Sequence, residues 1–173
     1  MPATVELADG VAVVRLDQDP PARLRALLPT LTGVRGLVLH AGSRKASPAS
    51  VRGVIGVSAA ARREHVRELR ALRTALAELP VPVVAAIGRS VSGDLAALAD
   101  ACDRRVLADD GDLVRVTGTG VVVARRVDAA EALRTGLVDR VVAPGHVLSA
   151  AVELAKQCKS TQDSRKSCRI VAP

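Results

Sequence analysis

Apolar positions in this chain fall into short unbroken runs separated by stretches of helical period. Val81 to Ile87 is β-branched and apolar with no polar alternation, which predicts a strand covered on both faces. Taken along the whole chain, the pattern predicts strands near 4–8, 11–16, 34–39, 82–87, 104–108 and 137–142. Helices are predicted near 21–31, 58–79, 93–102, 128–135 and 145–157. Strands alternating with helices imply an α/β layered domain, and no internal repeat of fixed period is present.

The densest chemistry lies between Pro82 and Ala108, where a strand, a turn and a small-residue helix follow one another. Gly88, Arg89, Ser90, Val91, Ser92, Gly93 and Asp94 read as the turn, and Leu95, Ala96, Leu98 and Ala99 begin the helix. Small residues let the first helical turn approach a ligand closely, and its free N–H groups can meet developing negative charge.

The spelling of this segment resembles the crotonase (enoyl-CoA hydratase/isomerase) superfamily. There a strand such as KPVIAAVNG leads to a Gly-Gly-Gly turn, a helix bearing a Glu, and then ALACD followed by Arg. Pro82 to Ile87 resembles the strand, Gly93 the first glycine, and Ala101-Cys102-Asp103 with Arg105 the closing signature. Upstream, Gly36 to Val51 is similar to the family's VVLTGAGRAFSAGAD. Downstream, Ala130 to Val142 is similar to AEEALRLGLVDRVV, and Asp9 to Asp17 resembles the first hairpin. These four blocks span most of residues 4–150. The resemblance implies a ββα spiral in a single layered domain over residues 1–155, lacking the family's C-terminal helical region, with a polar tail over 156–173.

The resemblance also implies a thioester pocket with two backbone donors. They fall on Ser50 and Asp94, neither of which is proline, so each offers an N–H; Ala46, Pro48, Ser50 and Gly93 fall on substrate-binding positions. The family's two catalytic glutamates have no counterpart. The first position is Ala97, and the segment holding the second is shortened between Asp112 and Arg126. Asp94 is therefore the candidate catalytic residue by default, although its carboxylate is also suited to capping a helix that begins at Leu95. Asp100, Asp103, His40 and His65 are the other ionisable candidates. Asp103 reads as a structural member of the Ala-Cys-Asp signature, and His40 as a histidine satisfied by local hydrogen bonds. Thr117-Gly118-Thr119-Gly120 lacks the third glycine of a phosphate loop. Ser92-Gly93-Asp94 reads as a turn rather than a nucleophile, since no histidine lies nearby in sequence.

Composition narrows the partners. The 173 residues contain no Phe, Tyr or Trp, so the core must be built from Val, Leu, Ala and Ile. Stability is expected to be modest or to draw on partner subunits, and a homo- or hetero-oligomer is expected. Stacking of a base on an aromatic ring is excluded, and with no nucleic-acid motif present no nucleic-acid partner is expected. The net charge of +7 comes mainly from arginine and suits the phosphates of coenzyme A. Arg62, Arg63, Arg67, Arg70 and Arg73 share one helix but are interrupted by Glu64, Glu68 and Glu78, which reads as a solvated face. No leader-like start and no apolar run of membrane length is present, so a cytoplasmic protein with no membrane partner is expected. Cys102, Cys158 and Cys168 form an odd set without metal-ligand spacing, which favours free thiols; Cys102 reads as a packing residue, and no metal is expected.

Two function classes follow. One is an enoyl-CoA hydratase/isomerase-family protein, a lyase, isomerase or hydrolase with an acyl-CoA or carrier-bound thioester pocket and oxyanion hole. It would use no cofactor beyond the coenzyme A of its substrate. The other is a catalytically inactive crotonase-fold accessory or scaffold subunit supporting a partner enzyme.

Overall fold

A computed structural model of the chain describes residues 5–16, 21–41, 58–91, 93–117 and 123–158. A six-stranded sheet is flanked by helices, and a separate two-stranded hairpin stands beside it. Strands β1 (Val5–Ala8) and β2 (Val11–Arg15) are antiparallel, joined by Asp9 and Gly10 at φ 52° and 79°. An Asp-Gly pair with both φ positive matches the type I′ turn, whose twist suits a hairpin. From β2 the sheet runs parallel through β3 (Gly36–Ala41), β4 (Val83–Ile87), β5 (Arg104–Ala108) and β8 (Arg140–Val142). The helices are α1 (Pro21–Leu27), α2 (Ala59–Glu78), α3 (Gly93–Asp100), α4 (Ala129–Arg134) and α5 (Val147–Gln157).

The unbroken apolar runs have a simple cause. Odd residues Val11 and Val13 of β2, with Val38, Val84, Ala86, Val106 and Ala108 of the next strands, form one sheet face. That face packs on Val147, Ala151, Val152 and Ala155 of α5. The alternate residues Ala12, Val14, Leu37, Leu39, Val83, Ala85, Ile87 and Leu107 form the other face, beneath Leu24, Leu72, Leu76, Leu98 and Ala132. With both faces covered, period-two alternation of side chains produces no polar positions. α5 lies close to the sheet, since a Cβ on Gly36 would stand 3.2 Å from the Ala155 Cβ.

Two aspartates stitch the connections between parallel strands in the same way. Asp103, just before β5, donates its N–H to the Val83 carbonyl and accepts the Val83 N–H on Oδ2, both at 2.8 Å. Asp139, just before β8, donates to the Arg105 carbonyl at 2.9 Å, accepts the Arg105 N–H at 2.8 Å, and holds the Arg104 guanidinium at 2.7 Å. The aspartates of both sequence signatures thus work as backbone clamps.

Several predicted boundaries shift. β3 begins two residues later than the pattern placed it, and β8 is limited to Arg140–Val142 because Gly136, at φ 72°, and the Asp139 clamp occupy the preceding residues. The helix expected over 93–102 ends at Asp100, where Arg105 Nη1 reaches the carbonyls of Ala99, Asp100 and Cys102. The hairpin of β6 (Asp112–Thr117) and β7 (Val123–Asp128) was not expected. Its arginines and the glycines between its strands hid the strand pattern.

Candidate functional site

β3 and β4 run parallel with Ala41 opposite Ile87, so their carboxyl ends meet at one edge, joined by the Gly88 N–H donating to the Ala41 carbonyl at 2.9 Å. Open α/β sheets bind ligands beyond the carboxyl ends of their strands. The turn after β4 is fixed from the side by the hairpin: Val91 donates to the Asp112 carbonyl at 3.2 Å and accepts from the Val114 N–H at 3.0 Å. Gly111 makes this close approach feasible, because a Cβ there would sit 3.2 Å from the Arg89 carbonyl and 2.9 Å from Leu107 Cδ1. α3 then opens at Gly93 with φ 57°, a conformation glycine adopts without a Cβ penalty.

Asp94 is the second residue of α3, so its N–H belongs to the first helical turn, whose donors have no intrahelical acceptor. The capping role expected for its carboxylate does not occur. The helix starts at Gly93 rather than Leu95, and Asp94 Oδ2 instead lies 2.5 Å from Nε2 of His65 on α2. Both side chains are about half exposed, at 46% and 48%. Ala46, Pro48 and Ser50 lie outside the described residues, and so does any pairing of the Ser50 and Asp94 amides.

One turn along α3, Ala97 contributes its methyl group to a pocket of about 190 Å³ that Gly93, Ala96, Asp100, Leu113 and Arg115 also line. Asp100 faces Arg115 across it at 3.9 Å. Arg105 also reaches the pocket, and its Nε is buried without a partner. The pocket is thus aliphatic around Ala97 and charged at its far end.

The remaining candidates separate cleanly. The pleat puts His40 on the Val38 face of the sheet, which α5 covers, while α3 lies over the opposite face. Asp103 is held by the Val83 backbone. Cys102 is buried, donates to the Leu98 carbonyl at 3.3 Å, and its thiol is pushed up to about 12 by burial, the nearby Arg105 opposing only weakly. A thiol raised this far is protonated at neutral pH and is a poor nucleophile. Alkylation of the folded protein is therefore expected to spare Cys102 and to modify the less buried Cys158. Unfolding should make Cys102 reactive; peptide mass spectrometry reads both, and equal labelling of the two in the folded state would contradict the burial argument.

His65 stood among the sequence candidates, but nothing in the sequence joined it to Asp94, 29 positions away. Only the packing of α2 beside α3 brings them together. Among the described residues, no group of three His, Cys, Asp or Glu side chains is placed to hold a metal ion, and no helix is long and apolar enough to cross a membrane.

An α/β domain of this kind is also what comparison with solved structures returns, whereas no family model matches the chain. An enoyl-CoA hydratase from Bacillus anthracis superposes with a TM-score of 0.76 at 24% identity, covering 93% of this chain and 78% of its own. A Streptomyces coelicolor A3(2) protein assigned as an enoyl-CoA hydratase gives 0.75 at 25% identity, covering 97% and 77%. Pseudomonas aeruginosa DspI gives 0.79 at 22%, covering 97% and 84%. The chain thus has the crotonase fold seen in these enoyl-CoA hydratase structures.

Proposed function

We propose that the chain binds an acyl thioester of coenzyme A at the carboxyl ends of β3 and β4, and that it does not hydrate enoyl thioesters by a two-carboxylate route. The observation that carries this reading is Ala97. On a fold shared with enoyl-CoA hydratases, a methyl group lines the pocket one turn from the start of α3, where the sequence resemblance puts a catalytic glutamate. A methyl group transfers no proton, whereas the free amides opening α3 remain available to polarise a thioester carbonyl. The N–H of Asp94 is the proposed donor on this side, with that of Ser50 as its counterpart and Ala46, Pro48 and Gly93 flanking the acyl group. The arginine-derived charge of +7 suits the phosphates of coenzyme A, which enters as part of the substrate. The same methyl group favours a second reading, an accessory crotonase-fold subunit that supports a catalytic partner.

Crotonyl-CoA mixed with the protein at high concentration is expected to keep its enoyl absorbance, while acetyl-CoA is expected to raise the melting temperature. Loss of the enoyl absorbance would refute the first expectation. No thermal shift with either coenzyme A or acetyl-CoA would remove the thioester-binding reading and leave the accessory one.

A further inference from the structure

We propose that His65, oriented by Asp94, is the proton-transfer residue of this site and that the reaction it serves is hydrolysis of an acyl thioester. The inference rests on the thioester-binding reading above and adds to it a reaction and a pairing, His65 with Asp94, that the sequence did not show.

Geometry is the first support. Asp94 precedes Ala97 by three positions on α3, and residues so spaced on a helix are surface neighbours, with Cβ atoms about 5–6 Å apart. Asp94 therefore neighbours Ala97, the position where the carboxylate is missing, in the first turn of α3, and holds His65 on its α2 side, outside the lining of the pocket itself.

Electronic arrangement is the second. A carboxylate accepting the Nε2–H of a neutral imidazole fixes the tautomer and leaves the Nδ1 lone pair as the base. Among the described residues His65 has no hydrogen-bond partner but Asp94, and its half-exposed ring is open to water. The neighbouring carboxylates of α2 are engaged elsewhere, Glu64 by Arg67 at 3.0 Å and Glu68 by Arg25 at 3.2 Å. Among the described residues Asp94 alone orients the ring.

Reaction chemistry is the third. Hydration of an enoyl thioester must deliver a hydroxyl and a proton to two adjacent carbons. Hydrolysis asks one base to act and then to return its proton, which suits a single imidazole. His65 Nδ1 takes a proton from water as the water oxygen bonds to the thioester carbonyl carbon, and the carbonyl oxygen takes up negative charge beside the amides of α3. Collapse of the tetrahedral intermediate re-forms C=O and breaks C–S, and the imidazolium gives its proton to the departing thiolate. One water is consumed, one carboxylic acid and one thiol are formed, and no redox partner is needed.

The test uses the full chain and saturated acyl-CoA esters from acetyl to decanoyl, with free coenzyme A separated by chromatography and binding followed by thermal shift. The wild type is expected to release coenzyme A from at least one ester. His65→Gln is expected to lose about 100-fold or more of that rate while keeping the thermal shift. Asp94→Asn should lower the rate at an unchanged shift, and Asp94→Glu should recover part of it, as a positioning carboxylate requires. A thermal shift without release of coenzyme A from any ester, or an undiminished rate in His65→Gln, overturns the inference and leaves the binding reading standing. Absence of any shift removes the binding reading and this inference with it.

Discussion

Leu39→Ala is expected to lower the unfolding free energy by about 3–5 kcal/mol, read from the midpoint of a urea titration with an unchanged slope. Leu39 is 1% exposed on β3, near the middle of the sheet, and faces the α1, α2 and α3 side of the core. Truncation removes buried methyl and methylene groups and leaves a cavity between rigid neighbours. Strands on both flanks are held by backbone ladders, so local collapse cannot close the gap. The lack of aromatic rings adds to the effect: the core is assembled from many medium-sized side chains, and no large adaptable ring can tilt into the space. Leu7→Ala serves as the comparison. Leu7 is 72% exposed on the edge strand β1, and its truncation should stay within about 0.5 kcal/mol. A loss below about 1 kcal/mol at Leu39 would mean that the sheet face relaxes freely and is not close-packed.

The same core explains which elements were legible in the sequence. β2 and β4 showed plainly because both of their faces are covered, so their apolar runs carry no interruption. α2 was placed within a residue of its ends, since Ser58 supplies the N-cap oxygen, accepting from the Ala61 N–H at 3.2 Å. β6 and β7 were not legible. Arg115 and Arg125 lie opposite one another in that hairpin and are compensated outside it, by Asp100 at 3.9 Å and by Glu131. Local pattern carries no trace of partners so far along the chain.

The site divides in a similar way. Gly93 and the small residues of α3 were readable because close approach leaves a local signature of missing side chains. The partner of Asp94 was not, because an exposed His65 midway along an arginine-rich helix looks like any solvated residue until α2 is laid beside α3. Helix capping, the local alternative, failed for a physical reason. Gly93 can adopt the positive φ that starts α3 one residue before Asp94, which leaves the carboxylate inside the first turn and facing another helix.

Asp103→Ala is expected to cost about 1–2 kcal/mol, because the Val83 N–H, on a residue 1% exposed, would lose its carboxylate acceptor, and water entering from the exposed Asp103 side replaces that bond only in part. Asp103→Asn keeps an oxygen acceptor at the same place and should lose less than half as much. Equal losses for the two would show that charge rather than acceptance matters. Asp139→Ala removes the analogous bond to the Arg105 N–H together with the Arg104 ion pair, so its effect should be of the same order. The two clamps grip opposite neighbours of one short strand, Asp103 immediately before β5 and Asp139 on the second residue of β5. Loosening one lets β5 shift against the other, and the double variant should therefore depart from additivity by about 0.5 kcal/mol or more. β5 also carries Arg105, whose guanidinium holds the last carbonyls of α3. A strand that slips would carry that grip with it, so the Asp103→Ala variant should lose part of any acyl-CoA thermal shift even though Asp103 lies outside the proposed site.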